Sequence, residues 1–456
     1  MQKAKGRRRE GLSLRLCSGW DKGLMTAVWL LIIFGTCMIA STAVGQTTSN
    51  ARAVLVTVGK QLVFILASYL AMWSMNRIYS MQRFCDLRGL LAVFYVLLMI
   101  SCFAFPAVYG SHAWINLKII TLQPSEFGKP LMILMVASAV YTMRRHPHLK
   151  VTYGQYFRVP LLFLGVNILL LVAQKDFGTM AITAGIFFLC ASIPDHPGIR
   201  KWQRNTMLVL GLGLLAAAVL IYSGLLATIM DNIPGMSHIG TRIENTINPY
   251  RDIYGEGYQP ANALYGIGSS NIWGRGFGNS ARKYGYLTQA DNDYILAVII
   301  EETGIFGLGF LTMCYGVIEY KLFGYALKTR DTVNKVVLAG TGTYMFLHFL
   351  LNVGGVSGLI PMTGIPLLFI SSGGSSLLAA SISIGMCQRV IARIRRTELK
   401  RHVPEVEFIQ MQPVPSAAAA KAGTANLRTS YRTTRSESTS RGRRKPGTRG
   451  RKGRRT

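Results

Sequence analysis

The chain has 456 residues, half of them hydrophobic, with a formal charge of +30. Its mean hydropathy is positive, and apolar runs near the roughly 20 residues needed to cross a bilayer recur along most of its length. That excludes an ordinary soluble domain and predicts an all-α polytopic integral membrane protein, because a helix satisfies its own backbone in lipid.

The chain opens with a basic arm, residues 1–24, carrying Lys3, Lys5, Arg7, Arg8, Arg9, Arg15 and Lys22. Ten spans are predicted from there, near 25–45, 53–74, 88–109, 128–143, 159–174, 177–194, 206–230, 294–320, 335–353 and 365–390. The first is too long to read as a removable signal peptide. Lys and Arg return at Arg77/Arg83/Arg88, Arg144/Arg145/Lys150, Arg200/Lys201/Arg204 and Lys321/Lys328/Arg330/Lys335, which are alternate loops. The positive-inside bias therefore predicts cytoplasmic termini and an extracytoplasmic loop, about 231–292, between spans seven and eight. The membrane domain is expected over 25–395. Beyond it, residues 396–456 are dense in Arg, Gly, Ser and Thr and predict a disordered cytoplasmic tail. Such a tail suits contact with anionic membrane lipids, with no specific nucleic acid expected. The seven cysteines have no paired spacing, so neither a disulfide framework nor a zinc site is expected.

The polar residues inside or beside apolar runs carry the chemistry. "LQPSEFGK" (Leu122 to Lys129) brings Glu126 and Lys129 to the start of a span, where Lys129 can bind phosphate or pair with Glu126 one turn away. In "QKDFGT", Asp176 sits at a helix boundary, as a cap or as a cavity residue. The loop is too long, and too rich in Gly, Tyr and Trp, to be a mere connector. Its Arg251, Arg275, Arg282 and Lys283 are cations that can cradle an anion or remain solvated. "ADNDYILAVIIEETG" sets Asp291 and Asp293 before a span and buries Glu301 and Glu302 within it. On a continuous helix Glu301 lies about 12 Å along the axis from Asp293 and about 80° around it. Carboxylates in spans cost about 2.5 to 3.5 kcal/mol or more, so they face a cavity or clamp helices together. Asp293 is also placed to cap the following helix. Asp291 and Asp293 can repel, raising one pKa, or share a divalent cation, the one metal this pattern admits; no cofactor is required. "GIPLLFISSGGSS" favours close helix packing or a substrate contact through residues such as Ser375, and His348 reads as a buried hydrogen-bonding residue.

Taken in order with "NPYRDIYGEGYQPANALYGIGSSNIWGRGFGNS" and "NVGGVSGLIPMTGIPLLFISSGGSS", these motifs resemble the SEDS family of peptidoglycan polymerases typified by RodA, FtsW and SpoVE. The resemblance implies a ten-helix fold in the plasma membrane and a glycosyltransferase that polymerises lipid II on the outer face, for cell division or cell-shape maintenance. It implies a class B penicillin-binding transpeptidase as partner, and it makes Asp293 the candidate base. Asp291 and Asn292 stand where relatives carry His and Thr, and Lys175 where they carry Pro. A lipid II flippase is the alternative, since charges in spans also mark transport paths; a non-catalytic scaffold for the transpeptidase is a third reading. Asp293 lies at the mouth of the bundle instead of the midplane expected of transporter sites, which favours the polymerase.

Overall fold

The computed structural model describes residues 16–46, 50–108, 110–117, 120–144, 151–232 and 237–402. Most of the basic arm and residues 403–456 of the tail lie outside the described residues. Of the separate unit 399–456, only the end of the last helix is described.

Three helices come first: α1 (Lys22–Gln46), α2 (Ala51–Ile78) and α3 (Met81–Ser101). A 3-10 turn, Cys102–Ala104, leads into a small antiparallel hairpin, β1 (Ile115–Asn116) and β2 (Thr121–Leu122), with Ile115 opposite Leu122. Then follow α4 (Ser125–Met143), the one-turn α5 (Tyr153–Tyr156), α6 (Arg158–Gln174) and α7 (Phe177–Ala191). After α8 (Arg200–Tyr222), the large loop folds α9 (Leu225–Asp231), α10 (Ser237–Ile247) and α11 (Tyr258–Ser269). Three long helices close the chain: α12 (Ile295–Lys328), α13 (Thr332–Val356) and α14 (Gly374–His402).

Seven of these, α1, α2, α3, α8, α12, α13 and α14, are long and apolar enough to cross a membrane. The shorter α4, α6 and α7 occupy the places of the three short predicted spans. The core is built around α13, which packs on α12, α4 and α7, with α1 against α12. By contrast, α8 has no buried residue although it is strongly apolar, as expected of a helix solvated by lipid. α2 buries only a stripe of Gln61, Ser68, Met72 and Asn76.

Two predicted spans need correction. The run 206–230 is not one helix, because Ser223 and Gly224 end α8 and Gly224 takes a left-handed conformation (φ 74°) before α9. The run beginning at 365 is buried but not helical until Gly374. Pro366 has no N–H to give, and Gly364 (φ 68°) turns the chain. Leu367, Leu368, Phe369 and Ile370 are fully buried in this irregular segment. Its backbone is paid in hydrogen bonds: Ser371 Oγ accepts from Leu367 N–H at 2.9 Å, and the Leu368 carbonyl accepts from the Tyr315 hydroxyl at 2.5 Å. Gly35 of α1 makes room, since a Cβ there would lie 2.6 Å from Ile370 Cα.

The long α12 is broken at Gly304, whose φ 63° and ψ −151° are open essentially only to glycine. The break frees backbone groups inside the membrane body, and the loop takes them up. Arg275 N–H donates to the Glu301 carbonyl at 2.8 Å and Gly276 N–H to the Glu302 carbonyl at 3.0 Å, while Ile305 N–H donates to Ile272 O at 3.0 Å. At the opposite end, Asp21 accepts from Leu24 N–H at 2.8 Å and pairs with Arg395 of α14, fastening the entry of α1 to the exit of the last helix.

A Cβ on Gly304 would overlap the Ile272 carbonyl oxygen, whereas one on Gly309 meets nothing within 4 Å. Gly304→Ala is therefore expected to destabilise the protein by about 1–3 kcal/mol and to expose the loop to protease. Gly309→Ala should be neutral, both read by thermal denaturation and limited proteolysis in detergent.

Candidate functional site

Where the loop returns to the bundle, Asp291, Asn292 and Asp293 lie between the irregular segment before α14 and the start of α12. The Ser372 hydroxyl donates to Asp291 Oδ2 at 2.8 Å and Gln46 Nε2 donates to Oδ1 at 3.3 Å. Ser372 N–H reaches the Asp291 carbonyl at 3.0 Å, and the Ser371 hydroxyl reaches that of Asn292 at 2.9 Å. Asp291 thus links the end of α1 to the segment before α14 through its two oxygens.

Asp293 is different. The cap residue of α12 is Tyr294, and no side chain caps that helix. Asp293 Oδ1 is buried and meets no hydrogen-bond donor among the described residues. Its backbone is fixed, because Asn352 Nδ2 of α13 donates to its carbonyl at 3.1 Å and also to Ile365 O at 2.8 Å. Burial pushes the Asp293 carboxyl up to about 6; the Arg242 guanidinium pulls against this, and Asp291 adds to it. Arg242, on α10, is itself held by donating to Met362 O at 3.3 Å. Sequence reasoning passed over both Arg242 and Asn352. Arg242 sits in a polar, helical-looking stretch that reads as a solvated face, and Asn352 is a single amide in a glycine motif; only a fold brings either one to Asp293.

Beside this acid lies a second polar layer. Asp176 Oδ1 accepts from Thr179 N–H at 3.1 Å and so caps α7, while Oδ2 takes Gln123 Nε2 at 3.0 Å and the Ser125 hydroxyl at 3.3 Å. Gln123 N–H donates to the Ser375 hydroxyl at 2.9 Å, tying β2 to the start of α14. Deeper, Lys129 is wholly buried, with its ammonium 2.6 Å from Glu126 Oε1 and 2.9 Å from His348 Nε2. Glu126 Oε2 has no partner among the described residues, and neither do Asn292 Oδ1, Asn352 Oδ1 and Thr363 Oγ1. Unmet buried acceptors are costly, and these four lie at the starts of α4 and α12, near the end of α13 and in the segment before α14.

The other predicted residues lie apart from Asp293. Glu301 is a clamp: Oε2 accepts from the Ser280 hydroxyl at 2.5 Å, and Oε1 accepts from Ala281 N–H at 3.1 Å and pairs with Arg275 at 3.3 Å. Glu302 similarly takes Ser41 at 2.7 Å, Gly278 N–H at 2.9 Å and Lys283 at 2.9 Å. Lys283 is buried, not solvated, and spends its donors on Glu302, Ser41 and the Gly278 carbonyl. Arg282 lies over the rings of Tyr265 and Tyr286 and donates to Asn262. Arg251 is exposed and pairs with Glu244 at 3.3 Å, on a different part of the loop. Among the described residues no group of three or more acidic, His or Cys side chains is placed to hold a metal.

The fold and site together define an all-α, multi-pass membrane protein with a buried acid at the mouth of its bundle. Residues 22–396 match the family model described as cell cycle protein, the FtsW/RodA/SpoVE family, and the chain belongs to that family. It is 31% identical over 402 residues to the probable peptidoglycan glycosyltransferase FtsW of Bacillus subtilis (strain 168), covering 85% of this chain and 94% of that one. With the corresponding protein of Enterococcus hirae it shares 30% over 311 residues, 67% of this chain and 73% of the relative. Among solved structures, a chain of a peptidoglycan synthase complex, studied for its coordination of polymerization and crosslinking, has a TM-score of 0.62 at 22% identity, covering 83% of this chain and 99% of that one. The rod shape determining protein RodA of Thermus thermophilus gives 0.58 at 20% identity, over 83% and 98%. Both have the same fold.

Lys283→Met removes the one cation that, among the described residues, pairs with the Glu302 carboxylate, and leaves that charge buried. Thermal denaturation of the purified protein should show a loss on the order of 3–5 kcal/mol, whereas Arg251→Met, at an exposed pair, should cost less than about 1 kcal/mol.

Proposed function

We propose that this chain is a peptidoglycan glycosyltransferase that joins lipid II units into glycan strands on the outer face of the plasma membrane, with Asp293 as general base. The observation that carries the reading is the Asp293 carboxyl at the edge of the large loop: its side chain is half-buried, its Oδ1 is sealed from solvent with no donor among the described residues, and it is pushed up to about 6. The membership of the family and the names of its relatives support the activity; the positive-inside bias of the basic loops supports the sidedness.

In the transfer, the acceptor sugar hydroxyl loses its proton to Asp293 as its oxygen bonds the anomeric carbon of the donor. The bond from that carbon to the lipid pyrophosphate breaks, and the leaving group keeps the electron pair. A base near neutrality is both ionised and able to take a proton. Negative charge grows on the pyrophosphate, and cations in a site shielded from water stabilise it strongly. Arg242 is the guanidinium nearest in effect to Asp293, and Lys129 retains one N–H beyond those given to Glu126 and His348. Asp176, Ser375 and Asp291 hold the walls. Because the product must be crosslinked, a class B penicillin-binding transpeptidase is the proposed partner, in keeping with the synthase complex that shares the fold.

The test is labelled lipid II incubated with the purified protein and its cognate transpeptidase. Asp293→Asn should lower polymerisation by about 10²-fold or more. In the wild type the rate should fall as pH drops through about 6, since the base works only when ionised. Arg242→Met, removing a cation that favours the ionised form, should move that midpoint to higher pH. Full activity in Asp293→Asn, or leaflet transfer of lipid II without polymer from the wild type, would overturn the reading.

A further inference from the structure

His348 lies on α13, fully buried, and among the described residues its hydrogen-bond partners are Lys129 and Pro366. Its ring joins two elements. Nε2 is 2.9 Å from the Lys129 ammonium, and Nδ1 is 3.1 Å from the Pro366 carbonyl oxygen. An ammonium can only donate and a carbonyl can only accept, so one arrangement satisfies both contacts. Nε2 accepts from Lys129, and Nδ1 carries the hydrogen and donates to Pro366 O. The ring is a neutral imidazole in one fixed tautomer, and Tyr344 packs edge-on against it with centroids 4.9 Å apart.

What this ring holds is the turn against which Asp293 sits. Asn352, one helical turn further along α13, donates to the carbonyl of Ile365 at 2.8 Å, so successive carbonyls are gripped by two side chains of one helix. The same Asn352 amide holds the Asp293 carbonyl. Thr363 O lies against Gly178 at the start of α7, where a Cβ would be 2.6 Å away. Gly364 lies against Asp293, with Oδ2 3.6 Å from where its Cβ would be. Residues 363–366 thus form one wall of the Asp293 site. Helix and sheet bonds cannot secure it, because Pro366 lacks an N–H and the segment is irregular.

From this geometry we infer that His348 is a positioning residue for the transfer: by accepting from Lys129 and donating to Pro366 O, it locks the 363–366 turn against Asp293 to the Glu126–Lys129 pair of α4. The inference rests on Asp293 being the base. His348 itself touches no reacting atom and acts through the turn and through Lys129, so its loss should act on the rate of the chemical step more than on substrate binding. Misplacing a site by about 1 Å can cost about 10²-fold.

The two-sided requirement yields a discriminating pair of variants. A glutamine offers one oxygen acceptor and one N–H donor on the same amide and can satisfy both partners. Methionine fills similar volume with neither. In the polymerisation assay with the full chain and its transpeptidase, His348→Met should lower kcat by about 10- to 100-fold with KM changed less than about 2-fold. His348→Gln should recover the rate to within about 3-fold. Amide hydrogen exchange over residues 360–371, which needs no activity, should be faster in His348→Met and close to wild type in His348→Gln. A folded His348→Met with wild-type kcat and exchange, or a His348→Gln as slow and as fast-exchanging as His348→Met, would overturn the inference. A wild type that makes no polymer while the exchange contrast holds would contradict the polymerase reading and leave the lock itself supported.

Discussion

A carboxylate buried in a membrane body is costly unless donors meet it, and Glu301 and Glu302 show how far this constraint reaches. Each sits within α12 just before the Gly304 break, and each draws loop groups onto itself: Ser280, Ala281 and Arg275 onto Glu301, and Gly278 and Lys283 onto Glu302. The break supplies backbone partners for the same loop segment, so side chains and main chain pull it to one place. Ser41 brings α1 to Glu302 as well. The loop is therefore part of the bundle, and its return leg carries Asp291 and Asp293 to a defined point at the start of α12.

That point is polar on several sides and apolar behind. Asp291 engages both oxygens in fastening, while Asp293 Oδ1 meets no donor among the described residues and the carboxyl is raised by burial. The division of labour between two acids separated by one residue follows from their neighbours. Ser372 and Gln46 meet the first, while among the described residues the second is gripped at its backbone carbonyl. The walls around it come from the ends of α4, α7 and α14, joined through Asp176, Gln123 and Ser375.

Much of this was legible in the sequence where physics is local. The long apolar runs of α1, α2, α3, α12 and α13 mark their helices because hydrophobic length alone sets a span. The motifs around Glu126, Asp176 and Asp293 are readable because polar residues in such runs are expensive. What was not legible depended on tertiary partners. The buried stretch after Ile365 reads as helix by hydropathy, yet Gly364 and Pro366 turn it and contacts with α1 and α13 hold it. Lys283 reads as a solvated cation until Glu302 is placed against it, and Arg242 becomes relevant only when α10 folds over Met362. Hydropathy also overstates continuity, as at Ser223 and Gly224, where a two-residue interruption ends α8.

The account stands on the state of one carboxyl, and that state can be read without following any product. Infrared titration of the reconstituted protein, taken as the difference between wild type and Asp293→Asn, isolates the carboxyl stretch of this side chain. The account predicts a protonated band that disappears with a midpoint near pH 6. A midpoint near 4, the ordinary value for a solvated aspartate, would show that the side chain is neither desolvated nor poised as a base, and would contradict it.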